Sequence, residues 1–364
     1  MKGVSSDDSR QRGKWWFVVR KYPPAIGGME LLSFNVVSRL SARHPVEVLP
    51  MRTPGWMLPW FIVSSAFRVG WACVKGDVAL LHVGDPVLAP LALVARSLGI
   101  PCSVTIHGLD IVYERGVYPL WRKFFVRGFD AYICISEATR LAALRLQIPR
   151  DRIHVIGVGI DVVEQPSSPV ARDSTVILFV GRLVRRKGVA WFVAEVLPAL
   201  ATRHPDVKLV VLGDGPERRA IAASATAHGV GDRIVWLGAR GDDEKASRFA
   251  TAAVCVMPNI AVAGDMEGFG IVALEAAAAG CPVVASDLEG LRDAIADGES
   301  GALVAAGNVD AWVHAIEARL ADPEFNNRLG ERARRHVLSE RGWDRIIDAY
   351  ERVLAHIAMD RDHR

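Results

Sequence analysis

Cysteine is scarce in this chain and never clustered. Five thiols (Cys73, Cys102, Cys134, Cys255 and Cys281) are spread over 364 residues, and no CxxC or Cys/His cluster occurs. They read as reduced core thiols of a cytosolic protein. The phosphate-binding signature GxxxxGK[ST] is missing, so there is no Walker loop. No GxGxxG follows the first apolar run, which argues against a dinucleotide-dependent dehydrogenase. No Asp-x-Asp pair stands at a strand end where it would hold a metal. Short-period repeats are lacking, and the only biased tract is one Ala-rich helical run. A secretory signal is not expected, because Met1 to Lys14 is polar and no apolar core precedes Trp15.

The bulk composition points to an ordinary globular protein. Apolar residues make up 51% of the chain, enough for a substantial core, and 364 residues suit two domains. The net charge of +3 is unevenly spread: residues 1–160 hold 20 Lys and Arg against 11 Asp and Glu, a net of +9, and the remainder carries −6. The basic half suits an anionic membrane surface or a phosphorylated acceptor, or else is a solvated surface without a partner. Gly55 to Lys75 is rich in tryptophan but interrupted by Pro59 and Arg68. A bilayer span needs about 20 mostly uncharged residues, so no transmembrane segment is expected here. The first expectation for this stretch is a core helix. The second is an interfacial surface beside Arg52, Arg68 and Lys75.

Short apolar runs alternate with helical patterns. Strands are expected at 15–19, 46–50, 77–82, 102–106, 131–135 and 153–156, with helices at 31–40, 88–98 and 138–146. Glu164 to Ser174 is rich in Pro and Ser and reads as a linker. A second series places strands at 176–180, 208–212, 234–237, 254–257 and 282–285, then helices at 309–321, 323–338 and 343–357. The fold class is therefore α/β, with two doubly wound parallel-sheet domains. Ligands in such sheets bind beyond the carboxyl ends of strands, so the loops after Val19, Ile106, Ile135, Val180, Leu212 and Met257 are expected to face one cleft.

The chemistry concentrates in a few of these loops. In Gly264 to Ser286, Glu267 and Glu275 flank a Gly-Phe-Gly turn that opens the Ala-rich helix. Free amides and the positive end of a helix dipole suit phosphate, and the carboxylates suit hydroxyls. Glu275 sits in an otherwise apolar helix, where a carboxylate is costly unless paired or bonded to a ligand such as a ribose. Gly181-Arg-Leu-Val-Arg-Arg-Lys-Gly188 sets Arg182 and Lys187 at a strand end, as a diphosphate would require. Arg185 and Arg186 fit a solvated basic turn better. Leu212-Gly-Asp-Gly-Pro216 permits tight reversal or close approach of a nucleotide at Gly213. Gly27 and Gly28 could bring backbone amides to a phosphate. His107 ends a strand near Asp110, whereas His82 reads as structural.

Together these motifs resemble the family 4 glycosyltransferases, retaining enzymes of the GT-B fold. The motifs occur in order: Pro-Pro-x-x-Gly-Gly-x-Glu, His-Gly-x-Asp, Gly-Arg-Leu-x-x-x-Lys-Gly, Gly-Asp-Gly-Pro, and Glu-Gly-Phe-Gly with a glutamate eight positions after its first. The resemblance implies two Rossmann-like domains facing a cleft: 1–163 for the acceptor and 175–342 for the donor, with the last helix (343–358) packing back on the first. Arg182 and Lys187 would bind the donor diphosphate, and Glu275 would hold the ribose. Glu267 and the backbone of Phe269 and Gly270 would meet the sugar. The amides of Ile271 and Val272 would meet the phosphates. Gly213 and Gly268 would belong to the donor-binding set with Gly27, and Gly28 would close over a phosphate. His107 would lie near the developing oxocarbenium ion.

No metal or cofactor is implied, since two cations and helix N-termini take the place of an ion. Retention implies front-face attack, with the leaving phosphate helping to deprotonate the acceptor; Glu267 as a covalent nucleophile is the variant. The expected donor is a nucleotide sugar, of the GDP-mannose type before UDP-hexose. The expected acceptor is lipid-linked or a saccharide, in bacterial lipopolysaccharide, O-antigen or exopolysaccharide synthesis. Peripheral contact with the cytoplasmic face of an anionic inner membrane is expected, and nucleic acid is not. A sucrose- or trehalose-type synthase and a non-catalytic nucleotide-sugar-binding subunit are the alternatives. Two departures stand out. The family often has Gly-Gly-x-x-Glu after the strand ending at Ser286, where this chain has Glu289, Gly290 and Asp293. It also has Gly-Val-Gly-Ile before Asp161, where Pro-x-Gly-Val is more usual.

Overall fold

The computed structural model describes residues 13–24, 27–162 and 172–359. The chain divides into two compact units, Met1–Ile156 with Asp344–Arg364, and Gly157–Trp343. Most of the linker expected at 164–174 lies outside the described residues. Residues 157–162 side with the second unit, where Ile160 bridges to Gly342.

The first unit is built on β1 (Lys14–Val19), β2 (Val46–Pro50), β3 (Val78–Val83), β4 (Cys102–Ile106), β5 (Ala131–Cys134) and β6 (Ile153–Val155). Their order is β2-β1-β3-β4-β5-β6, and every pairing is parallel. Runs such as Trp-Trp-Phe-Val-Val are buried on both faces, which is what covered parallel strands require. The direction of strand addition reverses between β1 and β3, the point where such sheets bind ligands. The helix Pro90–Ser97 is shorter than the apolar pattern suggests. Pro90 lacks an amide hydrogen, so the chain enters through a separate 3₁₀ turn, Pro86–Leu88, capped by Asp85. The last helix, Trp343–Met359, buries Ile346, Ile347, Tyr350, Leu354 and Ile357 at helical spacing. It is tied to the end of the first helix (Gly28–Ser41), where Arg43 meets Asp348 at 2.5 Å and Glu351 at 2.8 Å.

The expectation of a core helix in the tryptophan-rich segment fails. The helix Leu58–Val74, entered by a 3₁₀ turn at Gly55–Met57, buries only Ser65, Val69 and Ala72, with Leu58, Phe61 and Ile62 partly covered. Trp56, Trp60, Val63, Phe67, Trp71 and Val74 are all exposed, Trp56 by 80% and Phe67 by 75%. They recur every three or four residues, so they form one stripe opposite the buried face. The helix is apolar on two sides, and only one of them meets the core.

The second unit repeats the design with β7 (Asp173–Val180), β8 (Lys208–Leu212), β9 (Ile234–Gly238), β10 (Ala252–Met257), β11 (Val283–Ser286) and β12 (Ala302–Val304). The order β12-β11-β10-β7-β8-β9 is again all parallel, reversing between β7 and β10. β12 has only three residues at the sheet edge, too few for a periodic signal in sequence. Between β7 and β8 the helical run widens to a π turn at Phe192–Val196 just before Pro198. Proline donates no amide hydrogen, so the run loses a bond there and changes its pitch.

Candidate active site

The loops after β7 and β10 meet at the switch point of the second sheet. Gly181 and Gly213, with φ of +144° and +149°, turn the chain at the ends of β7 and β8. A Cβ at Gly213 would sit 1.9 Å from the Gly181 carbonyl oxygen, so these turns touch backbone to backbone. The amide of Leu183 donates to the Asp214 carbonyl at 2.9 Å, which fixes the Gly-Arg-Leu turn on the Gly-Asp-Gly turn. Arg182 projects from it into solvent and makes no side-chain hydrogen bond or ion pair among the described residues.

Lys187 has the opposite environment. A 3₁₀ turn (Arg185–Lys187) delivers it to Gly188, whose left-handed backbone lies against the exit of β10. There its Nζ is 2.5 Å from Glu267 Oε2, with side chains 8% and 11% exposed. The same oxygen accepts from Asn259 Nδ2 at 2.9 Å. Burial pushes the Glu267 carboxyl up, but Lys187, Arg186 and the hydrogen bonds from Lys187 and Asn259 outweigh it, and the group ends below its ordinary value. Glu267 is therefore ionised at neutral pH. The solvated role expected for Arg186 is wrong: its guanidinium lies inward, 3.8 Å from both Asp265 and Glu267. Its carbonyl accepts from the Ile260 amide at 2.9 Å, which ties this turn to the loop after β10.

Gly268, Phe269 and Gly270 are buried, and Gly270 (φ +94°) caps the helix Ile271–Ala278. Ile271 and Val272 form its first turn, whose amides have no partner one turn back within the helix. Glu275 lies in this helix, and its carboxylate is not waiting for a ligand alone. Lys245 donates to it at 2.7 Å and also meets Asp242 at 2.9 Å. Arg341 lies over the Phe269 ring, 5.5 Å from its centroid, and holds that side of the turn. The structure thus brings Lys187, Glu267, the Phe269–Gly270 turn and the start of the Glu275 helix together. It adds Asn259, Arg186, Lys245 and Glu289 to those found from sequence. Asn259 carried a weak signal, two residues past the end of an apolar strand. Lys245 carried none, because it comes from a charged helix remote in sequence.

In the first unit His107 is buried at the end of β4. Its Nε2 lies 2.8 Å from the Gly84 carbonyl, which can only accept, so Nε2 carries a hydrogen and Nδ1 is the ring nitrogen left for another partner. Its backbone amide and that of Gly108 donate to Asp110. His82 sits between Ser103 and Thr105, at 2.9 and 3.1 Å, as a core residue. Gly27 precedes the helix Gly28–Ser41, and its carbonyl accepts from Leu31. Among the described residues no three His, Cys, Asp or Glu side chains group as metal ligands would.

Residues 163–336 match the family described as Glycosyl transferases group 1, and residues 26–164 match Glycosyltransferase Family 4. A phosphatidyl-myo-inositol mannosyltransferase of Mycolicibacterium smegmatis is 30% identical over 331 residues, covering 81% of each chain. The chain belongs to the family 4 glycosyltransferases. This glycosyltransferase is also 29% identical over 366 residues to a GDP-mannose-dependent alpha-(1-6)-phosphatidylinositol monomannoside mannosyltransferase of the same organism, covering 90% of this chain and 94% of that one. Named relatives of this kind make it a hexosyltransferase. Its backbone is similar to sucrose-phosphate synthase from Thermosynechococcus elongatus, with a TM-score of 0.77 at 21% identity over 94% of this chain and 99% of that one. At that identity the likeness speaks for the shared GT-B fold alone.

Proposed function

We propose that this glycosyltransferase is a retaining enzyme that moves a hexose from a nucleoside-diphosphate sugar to a lipid-linked or saccharide acceptor. A donor of the GDP-mannose type is favoured over a UDP-hexose, and the setting is bacterial surface glycan synthesis. The observation that carries the reading is the buried Lys187–Glu267 pair beside the start of the Ile271–Ala278 helix. An ammonium has three donors, and Glu267 takes one, so Lys187 can meet phosphate oxygens while still pairing with the carboxylate. Arg182 adds a planar guanidinium, and the first-turn amides add a dipole. Glu275 suits the ribose, and the rigidly held Glu267 suits hydroxyls of the sugar. His107 keeps Nδ1 for a sugar hydroxyl.

In the reaction the bond from the anomeric carbon to phosphate breaks, and its electron pair stays on the phosphate. The acceptor oxygen bonds on the same face, and its proton passes to the leaving phosphate. Charge gathers on the diphosphate, where Arg182 and Lys187 stabilise it without a divalent ion. The mannosyltransferase relatives support a GDP-linked donor. Thermal shifts with GDP, UDP, ADP and dTDP test it, because a ligand at 100 times its Kd stabilises by about 2.7 kcal/mol. GDP is expected to shift the transition most, and no shift with any nucleotide would sink the reading.

The lipid-linked acceptor rests on the stripe along Leu58–Val74. Gly55–Val74 is long and apolar enough to cross a membrane, yet its inner side packs on the core of the first unit. Leaving that core would uncover Val69 and Ala72, so the helix lies on a surface and does not span it. Residues 48–76 include Arg52, Arg68 and Lys75 and no Asp or Glu, and Lys75 sits 5.0 Å over the Trp71 ring. Aromatic side chains beside cations and no acid match an anionic bilayer, so the enzyme works peripherally on a cytoplasmic membrane face. Cosedimentation is expected with vesicles containing phosphatidylglycerol at low salt, less at high salt, and little with phosphatidylcholine alone. Trp60→Ser with Phe67→Ser should abolish it. Equal binding by that variant, or self-association through the stripe in place of vesicle binding, would refute the membrane assignment.

A further inference from the structure

Two non-glycine residues have left-handed backbone among those described, Gln147 at φ +60° and Glu289 at φ +49°. Gln147 follows the end of a surface helix, and its side chain bonds Arg127 in solvent. Glu289 is different. It follows β11, in the loop whose next residue, Gly290, presses on the turn that contains Glu267. A Cβ on Gly290 would fall 2.3 Å from the Gly268 carbonyl oxygen. The Gly290 amide donates to the Glu267 carbonyl at 3.1 Å, and the Glu267 amide donates to Glu289 Oε2 at 2.6 Å. Both backbone polar groups of Glu267 are thus held by two consecutive residues of one loop.

A left-handed backbone favours glycine, and a residue with a side chain persists there at a conformational cost. Here the side chain that incurs the cost reaches back to one amide. That amide belongs to the residue whose carboxylate meets Lys187 and Asn259. We infer that Glu289 is a positioning residue for transfer, holding the Glu267 backbone so that its carboxylate faces the donor sugar. The inference rests on the function proposed above for Glu267. It acts on the sugar side of the site: among the described residues Arg182 and Glu275 bond neither Glu267 nor Glu289, and Lys187 keeps two ammonium donors for phosphate beyond the one that Glu267 takes.

Glu289→Gly and Glu289→Gln separate positioning from bracing. Glycine adopts the left-handed backbone freely, so Glu289→Gly should melt within about 2 °C of the wild type or above it. Its affinity for GDP, which lacks the sugar, should stay within twofold. Its kcat/KM for sugar transfer should fall about tenfold or more, because small misplacement of a reacting group is costly. Glutamine keeps an acceptor oxygen at the same reach and should restore transfer to within about threefold. Amide exchange of the peptide 266–270 should quicken in Glu289→Gly and not in Glu289→Gln. Transfer by Glu289→Gly within twofold of the wild type overturns the inference. So does a melting loss of several degrees together with lost GDP binding, which would make Glu289 a brace. If the wild type neither binds a nucleoside diphosphate nor transfers a sugar, the proposed function has failed. Unchanged exchange at 266–270 would then overturn the positioning role separately.

Discussion

Replacing Lys187 by alanine tests the site at its most buried charge. The ammonium now lies 2.5 Å from a carboxylate, with both side chains nearly covered. After the replacement Glu267 keeps Asn259 Nδ2 at 2.9 Å and the Arg186 guanidinium at 3.8 Å. Breaking a buried pair from one side costs roughly 3–5 kcal/mol when the other charge is left uncompensated. The two remaining partners offset part of that, so a loss of about 2–3 kcal/mol is expected at neutral pH. The pH dependence carries a sign that a general packing defect would not reproduce. In the wild type the folded carboxyl lies below its ordinary value. Its contribution is therefore complete above a pH of about 4.5 and is lost as pH falls through the folded value. In Lys187→Ala burial meets less opposition, and the carboxyl moves up. The penalty should then shrink on acidification, as Glu267 takes up a proton in the folded state, and grow as pH rises through the raised value.

Urea unfolding of the wild type, Lys187→Ala and Lys187→Ala/Glu267→Gln at pH 5 and pH 8 measures these terms. The double variant removes the stranded charge and should recover about 1 kcal/mol or more of the loss at pH 8. In steady-state assays Lys187→Ala should lower kcat/KM by about two decades or more, as loss of a preorganised cation does. A single variant within about 0.5 kcal/mol of the wild type at pH 8 would refute the buried-pair argument, as would a double variant less stable than the single one. Near-normal turnover would remove Lys187 from the diphosphate site.

Arg182→Ala should behave differently, because its side chain is exposed and holds nothing in place. Stability should change by less than about 0.5 kcal/mol while kcat/KM falls by about two decades, and a large loss of stability would contradict this. His82 gives a prediction confined to the first unit: burial first, and His107 second, push its imidazole down to about 3. The unfolded chain takes up this proton below about 6.5, so folding loses about 2 kcal/mol between pH 7 and pH 5 at this group. Urea titrations of His82→Gln should show a smaller loss over that range, and an identical loss would reject the assignment.

Much of the second unit was legible because its signals are local. A strand, a Gly-Phe-Gly turn and an apolar helix announce where Glu267 and Glu275 lie along the chain. Their partners are not local. Lys245 reaches Glu275 from a helix 30 positions away, and Asn259 reaches Glu267 across a loop with no periodicity. The tryptophan-rich helix was misread for a related reason. Hydrophobicity tells that a face avoids water but not which of two apolar faces meets the core. Only the packing of Ser65, Val69 and Ala72 decides that. Arg186 looks solvated in sequence because three consecutive basic residues usually are, yet the 3₁₀ turn leaves Arg185 in solvent while Arg186 and Lys187 both reach Glu267. Glu289 stood in the sequence as a mere departure from glycine, since φ is invisible there.

Several departures from ordinary folding rules gather around Glu267, although Trp312 Nε1, Arg319 Nε and Asn326 Oδ1 are also buried without a partner elsewhere in the second unit. A lysine and a glutamate are buried together, a glutamate adopts a glycine backbone, and Arg186 Nε, Asn259 Oδ1 and Asp265 Oδ1 are buried without a hydrogen-bond partner. Each feature is a cost that a protein selected only for stability would remove, the lysine and glutamate only as a pair because removing either alone strands the other. Their convergence on Glu267 is better explained by a ligand whose charge and hydroxyls the fold must meet at fixed positions. The neighbouring strands β8 and β9 supply the comparison. They place no buried charge at all, and their local irregularity is the left-handed Gly238 at the end of β9. Glu289→Gly, or joint replacement of Lys187 and Glu267 by packed apolar residues, should therefore hold or raise stability and slow the reaction, whereas volume-conserving apolar exchanges in β8 and β9 should leave the reaction unchanged. Melting temperature and kcat/KM measured together on such paired variants would decide it, and a stabilised variant at Glu289 with full activity would mean that the strain there serves something other than transfer.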